Sequence, residues 1–133
     1  MKLARTDQKA KAPTRKHQSH SGLDLYALGN FIIGPHSTEI INTGIAIELP
    51  EGTMGLIKPK SKHTRLVGAG VVDQNYRGEI KVRIFNTGKR NLYIEHHEPV
   101  AQLVVVPILT LELNRVPYGK LKETDRGDTG GIN

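Results

Sequence analysis

The sequence predicts an all-β domain, built as a sandwich, a jelly roll or a barrel. Three observations support this prediction. Apolar and polar residues alternate with a period of two in most of the apolar segments, as they do in half-buried strands. Turn signals containing glycine, proline or asparagine separate these segments at short intervals. No window of useful length shows the 3.6-residue period of an amphipathic helix.

The strand candidates follow one another along the chain. Residues 41–49 give the clearest alternation, and those predicted to share one face are Ile41, Thr43, Ile45, Ile47 and Leu49. In residues 79–86, isoleucine and valine alternate with lysine and arginine. Further strands are predicted at residues 92–94, 100–106 and 110–116. The turns between the candidates are Gly34-Pro35, Pro50-Glu51-Gly52, Asn86-Thr87-Gly88 and Pro117-Tyr118-Gly119.

The length of 133 residues predicts one domain, which buries roughly two thirds of the surface that its unfolded chain exposes. The chain has two Phe, four Tyr and no Trp, so Ile, Val and Leu must form most of the core. The polar, glycine-rich end of the chain carries no strand pattern. We therefore predict a β domain over residues 1–121 and a flexible C-terminal arm over residues 122–133.

The composition excludes several kinds of site and location. Without cysteine, the chain has no disulfide, no thiolate metal ligand and no cysteine nucleophile. The longest apolar run, residues 103–106, ends at Pro107 and is too short to span a bilayer. The basic amino terminus is not followed by an apolar segment, so a secretory signal is not expected. We expect an intracellular protein, cytoplasmic or nuclear.

The net charge of +6 is concentrated at the amino terminus. Residues 1–20 contain six lysine or arginine residues against one carboxylate, Asp7, and therefore contribute +5. Such a basic arm is typical of contact with nucleic acid. It is also typical of a solvated terminus, or of a protein whose substrate carries phosphates, and we favour these two interpretations.

Four stretches rich in polar residues and glycine interrupt the strand pattern, and the first two lie in the N-terminal half. Ser21-Gly22-Leu23-Asp24-Leu25 places a carboxylate at the entry of a strand, where aspartate usually belongs to a turn. Residues 58–62, Lys-Pro-Lys-Ser-Lys, place three cations and a hydroxyl on a turn. This second stretch suits phosphate oxygens, although a solvated charged turn has the same composition.

The other two stretches lie in the C-terminal half. Residues 68–79 read Gly-Ala-Gly-Val-Val-Asp-Gln-Asn-Tyr-Arg-Gly-Glu, and we predict a hairpin on which Asp73 and Tyr76 act together on one ligand. The alternative is a plain hairpin whose tyrosine packs on the core. Residues 124–131 combine Arg126 with glycine-rich backbone, which can either bind a phosphate or form a flexible tail.

Together and in this order, the stretches resemble the motifs of the trimeric dUTPase family. Ser-Gly-Leu-Asp-Leu resembles the first motif, Pro59-Lys60-Ser61 the second, and residues 70–80 the third. Residues 99–103, Pro-Val-Ala-Gln-Leu, resemble the fourth motif, and Arg126-Gly127-Asp128 resembles the start of the fifth. The similarity extends from about Ala12 to Gly130, and the third motif is its most specific part.

The resemblance implies a jelly-roll-like dUTPase fold and a homotrimer whose active sites are shared between subunits. It also implies hydrolysis of dUTP to dUMP and pyrophosphate, with Mg²⁺ as the cofactor. In this interpretation Asp73 activates the water that attacks the α-phosphorus, and Asp24 helps to hold hydrated Mg²⁺. The substrate-binding residues that the motifs imply are Lys60, Ser61, Lys62, Gly70, Val72, Tyr76, Gln102 and Arg126.

The implied substrate contacts differ between the motifs. Tyr76 of the third motif is expected to lie against the deoxyribose, while the nearby backbone, including Gly70 and Val72, reads the uracil edge. The residues expected to face the triphosphate are Ser61, Gln102 and Arg126, with Lys60 and Lys62 beside them.

Three features depart from the family pattern. Lys60 stands where an arginine is usual, and Lys62 stands where a small residue is usual. The stretch from Ser61 to Asp73 is several residues shorter than is usual. No aromatic residue follows Gly130 in the fifth motif. These departures bear on how efficiently the chain catalyses the reaction. They do not change the predicted fold.

Three alternative functions remain open from the sequence. The altered second and fifth motifs favour a dUTPase-fold interaction protein with weakened catalysis, whereas the intact Asp73–Tyr76 pair argues against it. A dCTP deaminase shares the fold, but the chain lacks a convincing match to the longer C-terminal half of that branch. A nucleic-acid-binding module would depend on the basic arm. Residues 11–15, Lys-Ala-Pro-Thr-Arg, instead resemble the segment before the first motif in viral and eukaryotic dUTPases, which makes the arm part of the domain.

Overall fold

The computed structural model of the chain describes residues 1–60 and 66–127. In this part of the chain the regular structure consists of eleven strands and a short 3-10 turn, Tyr118–Lys120, which confirms the all-β prediction. The described residues contain no helix that could span a bilayer. The strands are β1 (Lys2–Arg5), β2 (Gly22–Tyr26), β3 (Phe31–Ile33), β4 (Thr38–Asn42), β5 (Ile45–Glu48), β6 (Thr53–Lys58), β7 (Leu66–Val67), β8 (Gly70–Val72), β9 (Lys81–Phe85), β10 (Leu92–Ile94) and β11 (Pro99–Pro107).

The strands form a jelly-roll-like arrangement of small antiparallel sheets. The largest sheet has the order β2-β11-β6-β8, and a second sheet has the order β4-β9-β7. Two further pairs join β1 to β5 and β3 to β10. None of these neighbours is consecutive in the chain, so the connections repeatedly cross from one sheet to another.

The core consists of the apolar faces of these strands. In β9, Val82 and Ile84 are fully buried, whereas Lys81 and Arg83 are exposed, as the predicted alternation requires. Each such buried side chain stabilises the fold by about 1.5–3 kcal/mol relative to its exposed state. The largest fully buried apolar side chains are Leu25, Ile33, Ile41, Ile45, Ile80, Ile84, Ile94, Leu103, Val82 and Val100.

The alternation predicted over residues 41–49 is confirmed, but the segment forms two strands instead of one. All five residues of the predicted inner face are buried. The chain turns at Gly44, whose φ of +68° is accessible to glycine at little cost. A Cβ at Gly44 would lie only 2.7 Å from the Cβ of Ala10. As a result β4 pairs with β9, whereas β5 pairs with β1.

The basic amino terminus contributes a strand that the sequence did not predict. β1 pairs with β5 along its whole length, and Lys2 lies 3.6 Å from the carboxylate of Glu48. The first residues are therefore part of a sheet, although their side chains are exposed to solvent. The four residues of β1 are exposed, so no apolar alternation marks the strand in the sequence.

The prediction of a hairpin over residues 68–79 is wrong. β8 pairs with β6, whereas β9 pairs with β4 and β7, so the two strands that flank the loop belong to different sheets. Residues 73–79 form a connection between these sheets, which begins with a turn in which the amide of Tyr76 donates to the carbonyl of Asp73 at 3.0 Å. The glycines and Asn75 indicated a turn, but turn signals do not specify which strands pair.

The strand predicted over residues 110–116 is also absent. The amide of Ile108 donates to the carbonyl of Gly52 at 2.9 Å, and beyond it the side chains become exposed. Leu109, Leu111 and Leu113 are 84%, 77% and 98% exposed. A strand needs a partner for its backbone groups, and the described part of this chain offers none here. The boundary predicted at residue 122 stays a prediction, and residues 128–133 lie outside the described residues.

Candidate active site

One cleft contains three of the residues that the motifs singled out. Asp24 of β2 lies directly opposite Gln102 of β11, so their side chains are cross-strand neighbours. Lys60 follows the end of β6, the strand on the other side of β11. These residues line a cleft of about 840 Å³, which we call the polar cleft; it is lined by Lys16, His17, Ser19, His20, Ser21, Gly22, Asp24, Lys60, Pro99 and Gln102.

The charges of Asp24 and Lys60 are paired within the polar cleft. The Lys60 ammonium donates a hydrogen bond to Oδ1 of Asp24, and the two side chains are only 20% and 16% exposed. Partial burial makes it costly to remove either partner, because the other charge would be left unpaired. A phosphate or a hydrated metal that enters the cleft must therefore share or replace this ion pair.

The orientation of Gln102 depends on Gly22. The side-chain amide of Gln102 donates to the carbonyl of Pro59 at 2.9 Å and so joins β11 to the segment that follows β6. A Cβ built on Gly22 would lie 2.1 Å from Oε1 of Gln102. The glycine of the first motif thus provides the space that the glutamine of the fourth motif occupies.

Gly22→Ala is expected to destabilise the domain by about 1–2 kcal/mol, because Gln102 must leave its position and lose the bond to Pro59. Urea unfolding monitored by circular dichroism measures the change. Gly34→Ala is the matched control, since its Cβ would meet only Ser37 Oγ at 3.6 Å. Combining Gly22→Ala with Gln102→Ala should cost less than the sum of the two single changes. Simple additivity would show that the two residues do not interact.

A second pocket contains the residues of the third motif. Gly70, Val72, Asp73 and Tyr76 line a space of about 250 Å³, which we call the tyrosine pocket. The side chains of Asp73 and Tyr76 are exposed, whereas Val72 is buried and fixes the end of β8 in the core. The backbone at Gly70 packs closely on Ile57, since a Cβ there would lie 3.0 Å from that side chain.

The loop that carries Asp73 and Tyr76 is held from several sides. The amide of Gly52 donates to the side chain of Gln74 at 2.7 Å, and the guanidinium of Arg77 donates to the carbonyl of Gln74 at 2.8 Å. The hydroxyl of Tyr76 donates to the carbonyl of Glu79 at 2.8 Å. These contacts give the loop a defined shape, so Asp73 and Tyr76 keep a fixed relative position.

A single chain does not bring the two pockets together. The polar cleft and the tyrosine pocket share no described lining residue. β2 with Asp24 and β8, which leads into Asp73, form opposite edges of one sheet, three strand spacings or about 14 Å apart. Arg126 is exposed and lines neither pocket. Ser61 and Lys62 lie outside the described residues.

The polar cleft also contains residues that the motif analysis did not select. It is also lined by Lys16, His17, Ser19 and His20. The concentration of basic residues before residue 21 was the only signal for them, because the spacing of these residues matches none of the motifs.

Comparisons with known proteins agree on one family. The family model described as dUTPase matches residues 8–132. The deoxyuridine 5'-triphosphate nucleotidohydrolase of Clostridioides difficile is 35% identical over 98% of this chain and 94% of its own length. That of Alkaliphilus metalliredigens is 37% identical over 98% and 93%. The human mitochondrial enzyme of the same name is 37% identical, and 52% of its length is covered.

Solved structures of phage enzymes share the fold. The D95E mutant of the dUTPase from phage 80alpha superposes with a TM-score of 0.88 and 25% identity, over 97% of this chain and 95% of that one. The G164S mutant of the Staphylococcus bacteriophage 80alpha dUTPase, with bound dUpNHpp, gives a TM-score of 0.84 and 25% identity, over 96% and 93%.

Proposed function

This chain belongs to the dUTPase family, and from that premise we propose that it hydrolyses dUTP to dUMP and pyrophosphate. One observation supports the step from family membership to this activity. The tyrosine pocket places an exposed carboxylate, Asp73, beside an aromatic ring, Tyr76, on a loop of fixed shape. A carboxylate can act as the general base for water attack on a nucleotide, and an adjacent aromatic ring offers an apolar surface for its sugar.

The chemical step uses the carboxylate of Asp73 as a general base. It accepts a proton from a water molecule, whose oxygen forms a bond to the α-phosphorus of dUTP. The bond between that phosphorus and the oxygen bridging to the β-phosphorus then breaks, and pyrophosphate leaves. Lys60 and Gln102 of the polar cleft, together with Ser61, Lys62 and Arg126, are proposed to bind the triphosphate and to offset its negative charge.

The residues present fit a loosely held Mg²⁺. No group of three or more His, Asp or Glu side chains in residues 1–60 and 66–127 could enclose a metal ion. Mg²⁺ commonly keeps several waters and is held by one or two carboxylates plus substrate phosphates. Asp24 provides one such carboxylate, and one of its oxygens is free of the bond to Lys60. When bound with the nucleotide, the ion would supply charge neutralisation at the phosphates.

We further propose that the enzyme is a homotrimer with active sites shared between subunits. The separation of the polar cleft from the tyrosine pocket supports this, because the two pockets share no described lining residue within one chain. The exposed leucines at positions 109, 111 and 113 support it as well, since isolated chains seldom leave such a stripe uncovered. Neighbouring subunits would cover the stripe and bring the two pockets together.

Pyrophosphate release with Mg²⁺ tests the proposed reaction, with dUTP as the substrate and dCTP, dTTP and UTP as comparisons. We expect turnover of dUTP to exceed that of the other three nucleotides. Equal rates with all four nucleotides, or no release from dUTP, would contradict the proposal.

Tyr76→Ala should reduce the preference for dUTP over UTP, measured as the ratio of the two kcat/KM values, by about tenfold or more. The expected reason is that the ring occupies the space that a 2′-hydroxyl needs. Tyr76→Phe is the matched control because it keeps the ring and removes only the bond to Glu79. An unchanged ratio in the alanine variant would exclude Tyr76 from sugar selection.

A second candidate function is interaction with another macromolecule by a dUTPase fold with weakened catalysis. The ion pair between Asp24 and Lys60 favours it, since the carboxylate proposed for the metal is already neutralised by a lysine. Very slow turnover in the pyrophosphate assay, together with tight binding of dUTP, would favour this candidate over an efficient enzyme.

A further inference from the structure

The loop formed by residues 15–21, which we call the histidine loop, begins and ends next to Asp24. The amide of Asp24 donates to the carbonyl of Thr14 at 2.8 Å, and the amide of Thr14 donates to the carbonyl of Asp24 at 3.4 Å. This bridge closes the loop at its base. The position of the histidine loop relative to the polar cleft is therefore fixed by backbone contacts.

Internal contacts also give the histidine loop a defined shape. The guanidinium of Arg15 donates to the carbonyl of His20, and the amide of His20 donates to the carbonyl of His17 at 3.0 Å. The two imidazole rings lie edge to face, with centroids 4.6 Å apart. Both His17 and His20 line the cleft.

The histidine loop adds positive charge and hydrogen-bond donors to the cleft that Lys60 and Gln102 also line. Within the described chain, Lys16 has no carboxylate within ion-pairing distance, whereas the charge of Lys60 is paired with Asp24. Imidazole N–H groups of His17 and His20 and the hydroxyl of Ser19 can donate to an acceptor in the cleft. Such a set of groups suits an anion with several oxygens, and a polyphosphate chain is the one that the proposed substrate would bring.

We propose that the histidine loop is a polyphosphate-binding wall, in which Lys16 pairs with the phosphate chain of the nucleotide and His17 and His20 donate hydrogen bonds to it. The proposal rests on the proposed function for the identity of the ligand. It adds binding residues that none of the five motifs contains. It also explains how a cleft whose other lysine is already neutralised attracts a highly charged ligand.

The experiment measures binding rather than turnover, so that its outcome is independent of catalysis. Inorganic tripolyphosphate and dUMP are each titrated into the full-length protein by calorimetry at low salt and without Mg²⁺. Lys16→Ala, and the double change of His17 and His20 to Asn, should each weaken tripolyphosphate binding by about three- to tenfold. Binding of dUMP should stay within about twofold, because dUMP carries one phosphate and lacks the polyphosphate chain that the wall is proposed to bind.

Matched controls separate this effect from a general loss of charge or of stability. Lys89→Ala removes an exposed lysine that does not line the cleft, and His36→Asn replaces an exposed histidine whose φ of +54° asparagine also adopts. Both should leave tripolyphosphate binding unchanged. Raising the salt concentration should weaken binding more in the unchanged protein than in Lys16→Ala.

Two outcomes would overturn the proposal. In the first, tripolyphosphate binds the Lys16→Ala protein as tightly as the unchanged protein. In the second, the variants bind dUMP and tripolyphosphate more weakly by the same factor. This result would mean that the loop only supports the fold of the cleft. A protein that binds tripolyphosphate through Lys16 but does not hydrolyse dUTP would contradict the proposed function while supporting this inference.

Discussion

Asp73→Asn is expected to lower kcat by roughly 10²–10⁴-fold and to leave nucleotide affinity nearly unchanged. The amide keeps the shape of the carboxylate but cannot accept a proton from the attacking water. Among the described residues, no hydrogen bond or ion pair uses the side chain of Asp73; only its carbonyl is engaged, by the amide of Tyr76. The loop should therefore keep its shape in the variant.

The measurement combines steady-state pyrophosphate release with the equilibrium affinity for a non-hydrolysable dUTP analogue. Glu39→Gln is the matched control, because Glu39 is an exposed carboxylate on β4 that lines neither pocket. Its kcat should equal that of the unchanged protein. If Asp73→Asn keeps more than about a tenth of the original kcat, Asp73 is not the base.

Changing Leu109, Leu111 and Leu113 together to serine is expected to dissociate the trimer. Each leucine that becomes buried between subunits contributes about 1.5–3 kcal/mol, so the loss of three should raise the dissociation constant by roughly 10³-fold or more. Because the proposed active site is shared between subunits, activity should fall with the trimer. Sedimentation velocity and activity are measured over a range of protein concentrations, and both should recover together as the concentration rises.

A double change in the same segment provides the control. Glu112→Ser with Asn114→Ser alters polar residues between and after the leucines and should preserve both the trimer and the activity. If the triple serine variant sediments as a monomer and retains full activity, the site lies within one chain. If it remains a trimer, the leucine stripe is not part of the interface.

The alternation of apolar residues was enough to predict several of the strands that line the core, but it did not mark β3, β6 or β8, which also carry buried side chains. Burial of Val82 and Ile84 between exposed Lys81 and Arg83 follows directly from a period of two. Strand β1 was not predicted because all of its side chains are exposed, so no apolar pattern distinguishes it from a solvated terminus. Its pairing depends on the free edge of β5, which is a property of the folded sheet.

For the candidate site as well, local motifs identified the residues, and the fold decided which of them are neighbours. The motifs identified Asp24 and Gln102 by residue type, but only the antiparallel pairing of β2 and β11 makes them neighbours. The ion pair between Asp24 and Lys60 was not predicted, since the two residues are far apart in the chain. The histidine loop matched no motif, and its place on the cleft wall follows from the Thr14–Asp24 bridge.

The sequence by itself determined the all-β class, the apolar faces of core strands such as β5 and β9, and the family, because periodicity and short motifs are local properties of the chain. The tertiary structure alone decided that Gly44 divides one predicted strand into two, and that residues 73–79 connect two sheets instead of forming a hairpin. It alone also separated the polar cleft from the tyrosine pocket. The physical reason is that strand pairing is set by backbone hydrogen bonds between distant segments, which local side-chain patterns permit but do not specify.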